Sequence, residues 1–282
     1  MTAIVLGLLT AVLFGTAAYL GPVLSRAHSP SAVLAVGQGA AVAAATVPVL
    51  AGGVPAPALR WLVLGALAGV ANGVALTAMF EAARFLRISV MAPIGAMGGG
   101  VPVVVALTLG ERPSAWQLAG IPLALAGVVL VAAGQGRRSA TPAPPVRPAG
   151  LWLAAAWAAF YGVFLSLFAE AARGGEGWAV LTSRVALLGT ALTLPVLRGA
   201  SLRLPARTVP LAVLNGLLIL AGVSTFALAS QLGLVSVTSV LSTLSPVVTV
   251  ALAVVLLRER LAPGQRAGLV AAMAGVALLA VG

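Results

Sequence analysis

The chain is a succession of long apolar runs separated by short polar breaks. Ten runs are recognised, near residues 3–24, 31–50, 60–80, 88–109, 115–134, 150–169, 178–197, 208–229, 236–257 and 263–282. Each is about 20 residues long, which as a helix crosses a hydrocarbon core of roughly 30 Å. The strict apolar–polar alternation of a membrane barrel is absent. The pattern predicts an all-α integral membrane protein with ten transmembrane helices. No cation precedes the first run, and the first charge is Arg26, so this run is expected to be a helix and not a cleaved leader. The longest break is GQGRRSATPAPPVRPAG, rich in Pro and Arg. It predicts an extended linker over 135–149.

The linker divides the chain into two similar halves, 1–134 and 150–282. GERPSAWQLAG after the fourth run is answered by RERLAPGQRAG after the ninth. Glu111–Gly134 and Glu259–Gly282 share twelve identities over 24 positions without a gap. Ala32-Val33-Leu34 and Pro48-Val49-Leu50 return as Ala179-Val180-Leu181 and Pro195-Val196-Leu197, and Phe14-Gly15 returns as Tyr161-Gly162. Five helices per half is an odd number, so the second repeat must enter the membrane inverted relative to the first. Inverted repeats with a site between them are a recurring plan of secondary transporters. The arginines agree. Loops 1–2, 3–4, 5–6, 7–8 and 9–10, named by the runs they join, carry eleven: Arg26, Arg84, Arg87, Arg137, Arg138, Arg147, Arg198, Arg203, Arg207, Arg258 and Arg260. The opposite loops carry Arg60, Arg112 and Arg173. The positive-inside rule then places both termini outside the cytoplasm.

Composition narrows the function. Hydrophobic residues make up 61% of the chain and charged residues 7%. The net charge of +11 would suggest nucleic acid in a soluble protein, but these cations are scattered among membrane loops, and no nucleic-acid partner is expected. There is no Cys and no Asp, and His28 is the single histidine. Thiolate chemistry and ordinary metal sites therefore lack their ligands. A phosphate-binding Gly-Lys-Ser/Thr loop is also absent. Neither an enzyme nor a cofactor is expected. The expected partners are a small-molecule substrate and the lipid bilayer, with the chain a monomer and a dimer as the alternative.

Polar residues inside apolar runs mark candidate sites, because they face a bundle interior or a cavity. Arg184 lies within the seventh run, and either binds an anionic solute, pairs with Glu170 or snorkels. Gln38, Asn72 and Asn215 lie inside runs two, three and eight, as solute contacts or interhelical glue. Trp157 and Tyr161 are one turn apart and either clamp a solute or pack. Ser239 and Ser242 belong to a hydroxyl-rich face of run nine that also includes Ser236, Thr243 and Thr249. Pro93, Gly98, Gly99, Gly100 and Pro246 soften runs four and nine and are candidate hinges or gates; close packing is the competing account. Glu111-Arg112 and Glu259-Arg260 are helix-end pairs suited to helix dipoles. Gly120, Gly127 and Gly134, with Gly268, Gly275 and Gly282, form packing stripes.

The stretch SVTSVLSTLSPVVTVALAVVLLRERLAPGQRAGLVAAMAGVALL, with its Leu-Ser-Pro, Glu-Arg, Gln-x-x-Gly and Ala-Gly-Val, resembles the EamA-like ten-helix members of the drug/metabolite transporter superfamily. SVMAPIGAMGGGVPVVVALTLGERPSAWQLAGIPLALAGVVL is a weaker first copy. The resemblance implies a secondary transporter, exporter or exchanger, of small organic metabolites such as amino acids, working through a central cavity in a bacterial-type inner membrane. A non-transporting scaffold or lipid-handling protein is the alternative. The chain departs from the family pattern in helix 1, where Phe14-Gly15 stands for Trp-Gly. In helix 2, Gln38 is the polar residue nearest a common arginine. Many family members place both termini in the cytoplasm, opposite to the arginine count.

Overall fold

The computed structural model describes residues 1–82, 85–86, 94–134, 148–199, 201–248, 251 and 262–281. The described residues form helices and connecting turns, with no strand among them. They are α1 (Thr2–Ala27), α2 (Pro30–Ala51), α3 (Leu59–Ala82), α4 (Gly100–Thr108), α5 (Ala115–Gly134), α6 (Pro148–Ala172), α7 (Glu176–Leu197), α8 (Val209–Leu232), α9 (Val235–Ser242) and α10 (Pro263–Val281). Eight are long and apolar enough to cross a membrane. The other two belong to shorter apolar stretches, Ile94–Thr108 and Val235–Val248. The protein is an all-α, multi-pass membrane protein. Helix α6 opens at Pro148, two residues before the expected start. Proline suits a first helical position, where its fixed φ is already helical and its missing N–H leaves no bond unmade.

The helices pair across the halves. Helix α3 packs on α6 and α1 on α8; α2 packs on α8 and α3 on α7; α1 packs on α9 and α4 on α6. Helices α2 and α7, α4 and α9, and α5 and α10 pack on each other. Exchanging every helix for its repeat equivalent leaves this set of pairs unchanged, as a two-fold relation between the halves requires. Close approach comes through small residues, the usual means where lipid supplies no hydrophobic drive. A Cβ added to Gly127 would lie 2.7 Å from the Gly268 carbonyl oxygen, and one on Gly120 would lie 2.9 Å from that of Gly275. The glycine stripes are thus used inside the chain, α5 against α10.

The loops sort to two ends. Glu81 and Arg198 form an ion pair at 3.0 Å, and His28 Nε2 shares a 2.9 Å hydrogen bond with Thr208 Oγ1. These contacts join loops 1–2, 3–4 and 7–8. At the other end Trp178 donates to the Val54 carbonyl at 3.2 Å, and Gln231 donates to that of Ala172 at 3.1 Å. Loops 1–2, 3–4 and 7–8 thus share an end, as the arginine positions group them. His28, the single histidine, ties two loops of opposite halves. Arg84, Arg87, Arg137, Arg138, Arg147, Arg258, Glu259 and Arg260 lie outside the described residues, as do linker residues 135–147, Pro93, Thr249 and Gly282.

Candidate functional site

The apolar stretches around α4 and α9 are both broken. A 3-10 turn at Met97–Gly99 precedes α4. In the other half, a turn at Thr243 and Leu244 separates α9 from helical residues 245–248, and the Leu244 N–H reaches only to Leu241, at 3.1 Å. Pro246 accounts for this second break. It has no N–H to offer Ser242, and its ring crowds that carbonyl. The two breaks touch: a Cβ on Gly99 would collide with Thr243. Each break also packs on the first helix of the opposite half. Gly162 of α6 meets the Gly98 carbonyl and Val101, while Gly15 of α1 meets the Ser245 carbonyl and Val248. The packing counterpart of Gly98 is therefore Ser245, whereas the offset of 148 that aligns Glu111 with Glu259 would pair Gly98 with Pro246. Gly100 faces open space.

Most hydroxyls of α9 are already engaged. Ser236 binds Glu111, Thr238 donates to the Leu234 carbonyl, and Ser242 and Thr243 donate to carbonyls three residues back. Ser242 has thus committed its one donor and keeps only acceptor capacity, although the sequence grouped it with Ser239. The Ser239 hydroxyl is buried with no partner. Three other residues share that condition among the described residues: Gln38 at Oε1, Asn215 at Oδ1, and Arg184 at all three guanidinium nitrogens. All four are residues that the run pattern nominates. Buried polar groups are nearly always paired, so four on neighbouring helices call for an explanation.

Arg184 is the most exceptional. Its side chain is wholly enclosed. It lies eight residues into the 22-residue α7, about 4 Å from the helix midpoint at a rise of roughly 1.5 Å per residue. It does not snorkel. It does not pair with Glu170 either, since that carboxylate bonds Arg173 at 2.8 Å at the end of α6. Its guanidinium instead stands 5.8 Å from the centre of the Phe164 ring. Phe164 opens a run of rings, 5.9 Å from Tyr161 and 5.5 Å from Phe168, which in turn is 6.3 Å from Phe226. Tyr161 thus belongs to the surroundings of Arg184. Trp157 does not: it packs on the cluster of Ala82, Leu86 and Ala154, and its ring covers Gly95. The three phenylalanines were not singled out in the sequence, though Tyr161, Phe164 and Phe168 follow the three- and four-residue spacing of one helix face.

Gln38 and Asn215 flank one helix crossing. Gly37 of α2 and Gly216 of α8 meet backbone to backbone, and each polar residue adjoins one of these glycines. The Asn215 amide also lies against Gly21 of α1. The same crossing in the other pair of helices is Gly69 of α3 on the Ser183 carbonyl, immediately before Arg184. Asn72 is half-buried beside the Gly73–Thr190 contact of α3 and α7.

The Glu-Arg pair of the first half has an architectural task. Gly110 takes φ of +96°, and the Glu111 N–H then returns to the Ala106 carbonyl at 2.9 Å, closing α4. This turn aims the carboxylate away from its own next helix. Glu111 accepts from the N–H groups of Val235 and Ser236 at 2.7 and 3.1 Å, and from the Ser236 hydroxyl at 2.7 Å. It caps α9 of the other half. Helix α5 is capped by Ser114 and Gln117, which exchange hydrogen bonds of 3.0 and 3.2 Å. Gln265 repeats half of that arrangement on Ala262. Arg112 is exposed.

Comparisons with known proteins bear on the family and the fold. The profile of the EamA-like transporter family matches residues 148–281. No protein of curated function matches the chain. A solved structure described only as the crystal structure of a protein superposes with a TM-score of 0.80, covering 99% of this chain and 96% of its own at 21% identity. It supports the fold of the whole chain.

Proposed function

We propose, taking as premise that the chain belongs to the EamA-like transporter family through residues 148–281, that it is a secondary transporter of small organic metabolites, an exporter or exchanger in a bacterial inner membrane. One observation carries the mechanism. The two broken helical stretches cross at their breaks, where Gly99 abuts Thr243, and each packs on the first helix of the opposite half. A broken helix bends at less cost than a continuous one. Two such helices, related by the repeat, let helix groups drawn from both halves shift against each other and open the interior to either end in turn. Gln38, Tyr161, Arg184, Asn215 and Ser239 supply the solute contacts. Gly98, Gly99, Gly100 and Pro246 supply the flexible points.

The test is counterflow in proteoliposomes made from the full chain. Vesicles loaded with an unlabelled amino-acid mixture should accumulate labelled amino acids transiently, and vesicles lacking the protein should not. Absence of flux across a broad metabolite panel, from a correctly folded preparation, would sink the carrier reading.

A further inference from the structure

A charge near the middle of a membrane helix costs about 2.5–3.5 kcal/mol on the insertion scale, and is retained where something compensates it. Within the described residues nothing of opposite charge does so for Arg184. Glu81 is held by Arg198, Glu170 by Arg173, and Glu111 by the start of α9. Glu176 is the first residue of α7, about 12 Å along the helix from Arg184 at roughly 1.5 Å per residue. The Phe164 ring stands beside the guanidinium, and a desolvated cation–ring pair contributes about 2 kcal/mol or more, but it leaves the N–H groups without acceptors.

We infer that Arg184 is the anchor for a singly charged organic carboxylate, which supplies the missing counter-charge and makes the carrier's substrate a carboxylic acid anion. The inference rests on the carrier reading and narrows it. The chemistry follows from the side chain. A guanidinium presents paired N–H donors whose spacing fits the two oxygens of a carboxylate. One buried cation neutralises one negative charge, so a phosphate dianion would leave a net charge inside the bundle. The aromatic run beside Arg184 gives the rest of the molecule apolar surroundings. The unpartnered oxygens of Gln38 and Asn215 are acceptors, suited to an amino or hydroxyl group carried by the same solute.

The experiment uses the full chain in detergent and two probe sets: leucine, 4-methylpentanoate and leucinamide; phenylalanine, 3-phenylpropanoate and phenylalaninamide. Binding is read by thermal shift and titration in wild type, Arg184→Met and Arg184→Lys. Acids of at least one set should stabilise the wild type and the amides should not. Arg184→Met should bind the acids about 10- to 100-fold more weakly, the range expected for losing charge-assisted hydrogen bonds. Without probe it should unfold at the same temperature or higher, because an unpaired buried charge has been removed. Arg184→Lys should retain part of the affinity. Equal response to acids and amides, no response to any acid, undiminished acid affinity in Arg184→Met, or failure of that variant to fold would each overturn the inference. Flux separates it from the reading beneath it. Transport of solutes regardless of a carboxylate would refute the Arg184 assignment and leave a carrier. Acid binding at Arg184 without flux of any solute would leave the site and remove the carrier.

Discussion

Glu111 and Arg112 adjoin in the chain and have separate roles. The carboxylate makes three hydrogen bonds to the start of α9, whereas the guanidinium side chain is exposed. Removing the carboxylate strands two backbone donors at a helix N-terminus, where losing a cap costs about 0.5–2 kcal/mol. Glu111→Ala should therefore lower the unfolding temperature in detergent, while Arg112→Ala should stay within about 0.5 kcal/mol of wild type, as surface substitutions do. Equal losses from both would contradict the capping role. The sequence made this pair conspicuous by repeating it in a chain with five acids. Glu111 does sit at a helix N-terminus, as a helix-end residue should, but the helix belongs to the other half. Glu111 and Ser236 lie 125 positions apart, and only the tertiary pairing of the halves joins them. Gln38, Arg184, Asn215 and Ser239 were legible for a simpler reason: polar atoms within apolar runs have few places to go. Which of them would find partners depended on neighbours that local spacing does not specify, and Ser242 shows the difference.

At the scale of elements, the proposed change of access depends on bending at the breaks at Met97–Gly99 and Thr243–Leu244. The glycines there are not equivalent tests. Gly99→Leu would drive its side chain into Thr243, and overpacking of this kind costs roughly 1–3 kcal/mol, so loss of transport would report on folding. Gly100 meets nothing within 4 Å, so Gly100→Ala adds helix propensity of about 0.8–1 kcal/mol without a clash. The variant should fold and bind solute as wild type does, with flux reduced several-fold because the straightened helix resists bending. Unchanged flux would show that the segment does not bend at Gly100. The glycine and proline pattern made both breaks visible in the sequence. That the two breaks would touch was not visible, because the repeat alignment relates equivalent positions and says nothing about which helices cross. The offset of 148 also misses the packing register here by one residue, since Ser245 and not Pro246 answers Gly98.

On the scale of the whole molecule, the halves are interlocked, and among the described residues loops 1–2, 3–4 and 7–8 gather at one end, as the arginines group them. The grouping fixes which loops share an end; the positive-inside rule then assigns the arginine-rich end to the cytoplasm. Alkaline phosphatase fused after the last residue should be active and a fluorescent protein there dark, and the reverse pair would invert the orientation while leaving the helix pairing intact. The ten-helix plan was readable because run length and repeat are one-dimensional signals. The exchange of helix partners between halves was not, because it is a property of two-fold packing. The central claim is that the interior around the two breaks opens to each end in turn, and Ser239 reports on it most directly. It is fully enclosed beside the α9 break, and the chain has no cysteine of its own. Ser239→Cys, in oriented vesicles holding functional protein, should react with a membrane-impermeant maleimide applied from either face, and a transported solute should shift the two labelling rates in opposite directions. Reaction from one face only, or from neither under conditions that sustain flux, would contradict alternating access through this region.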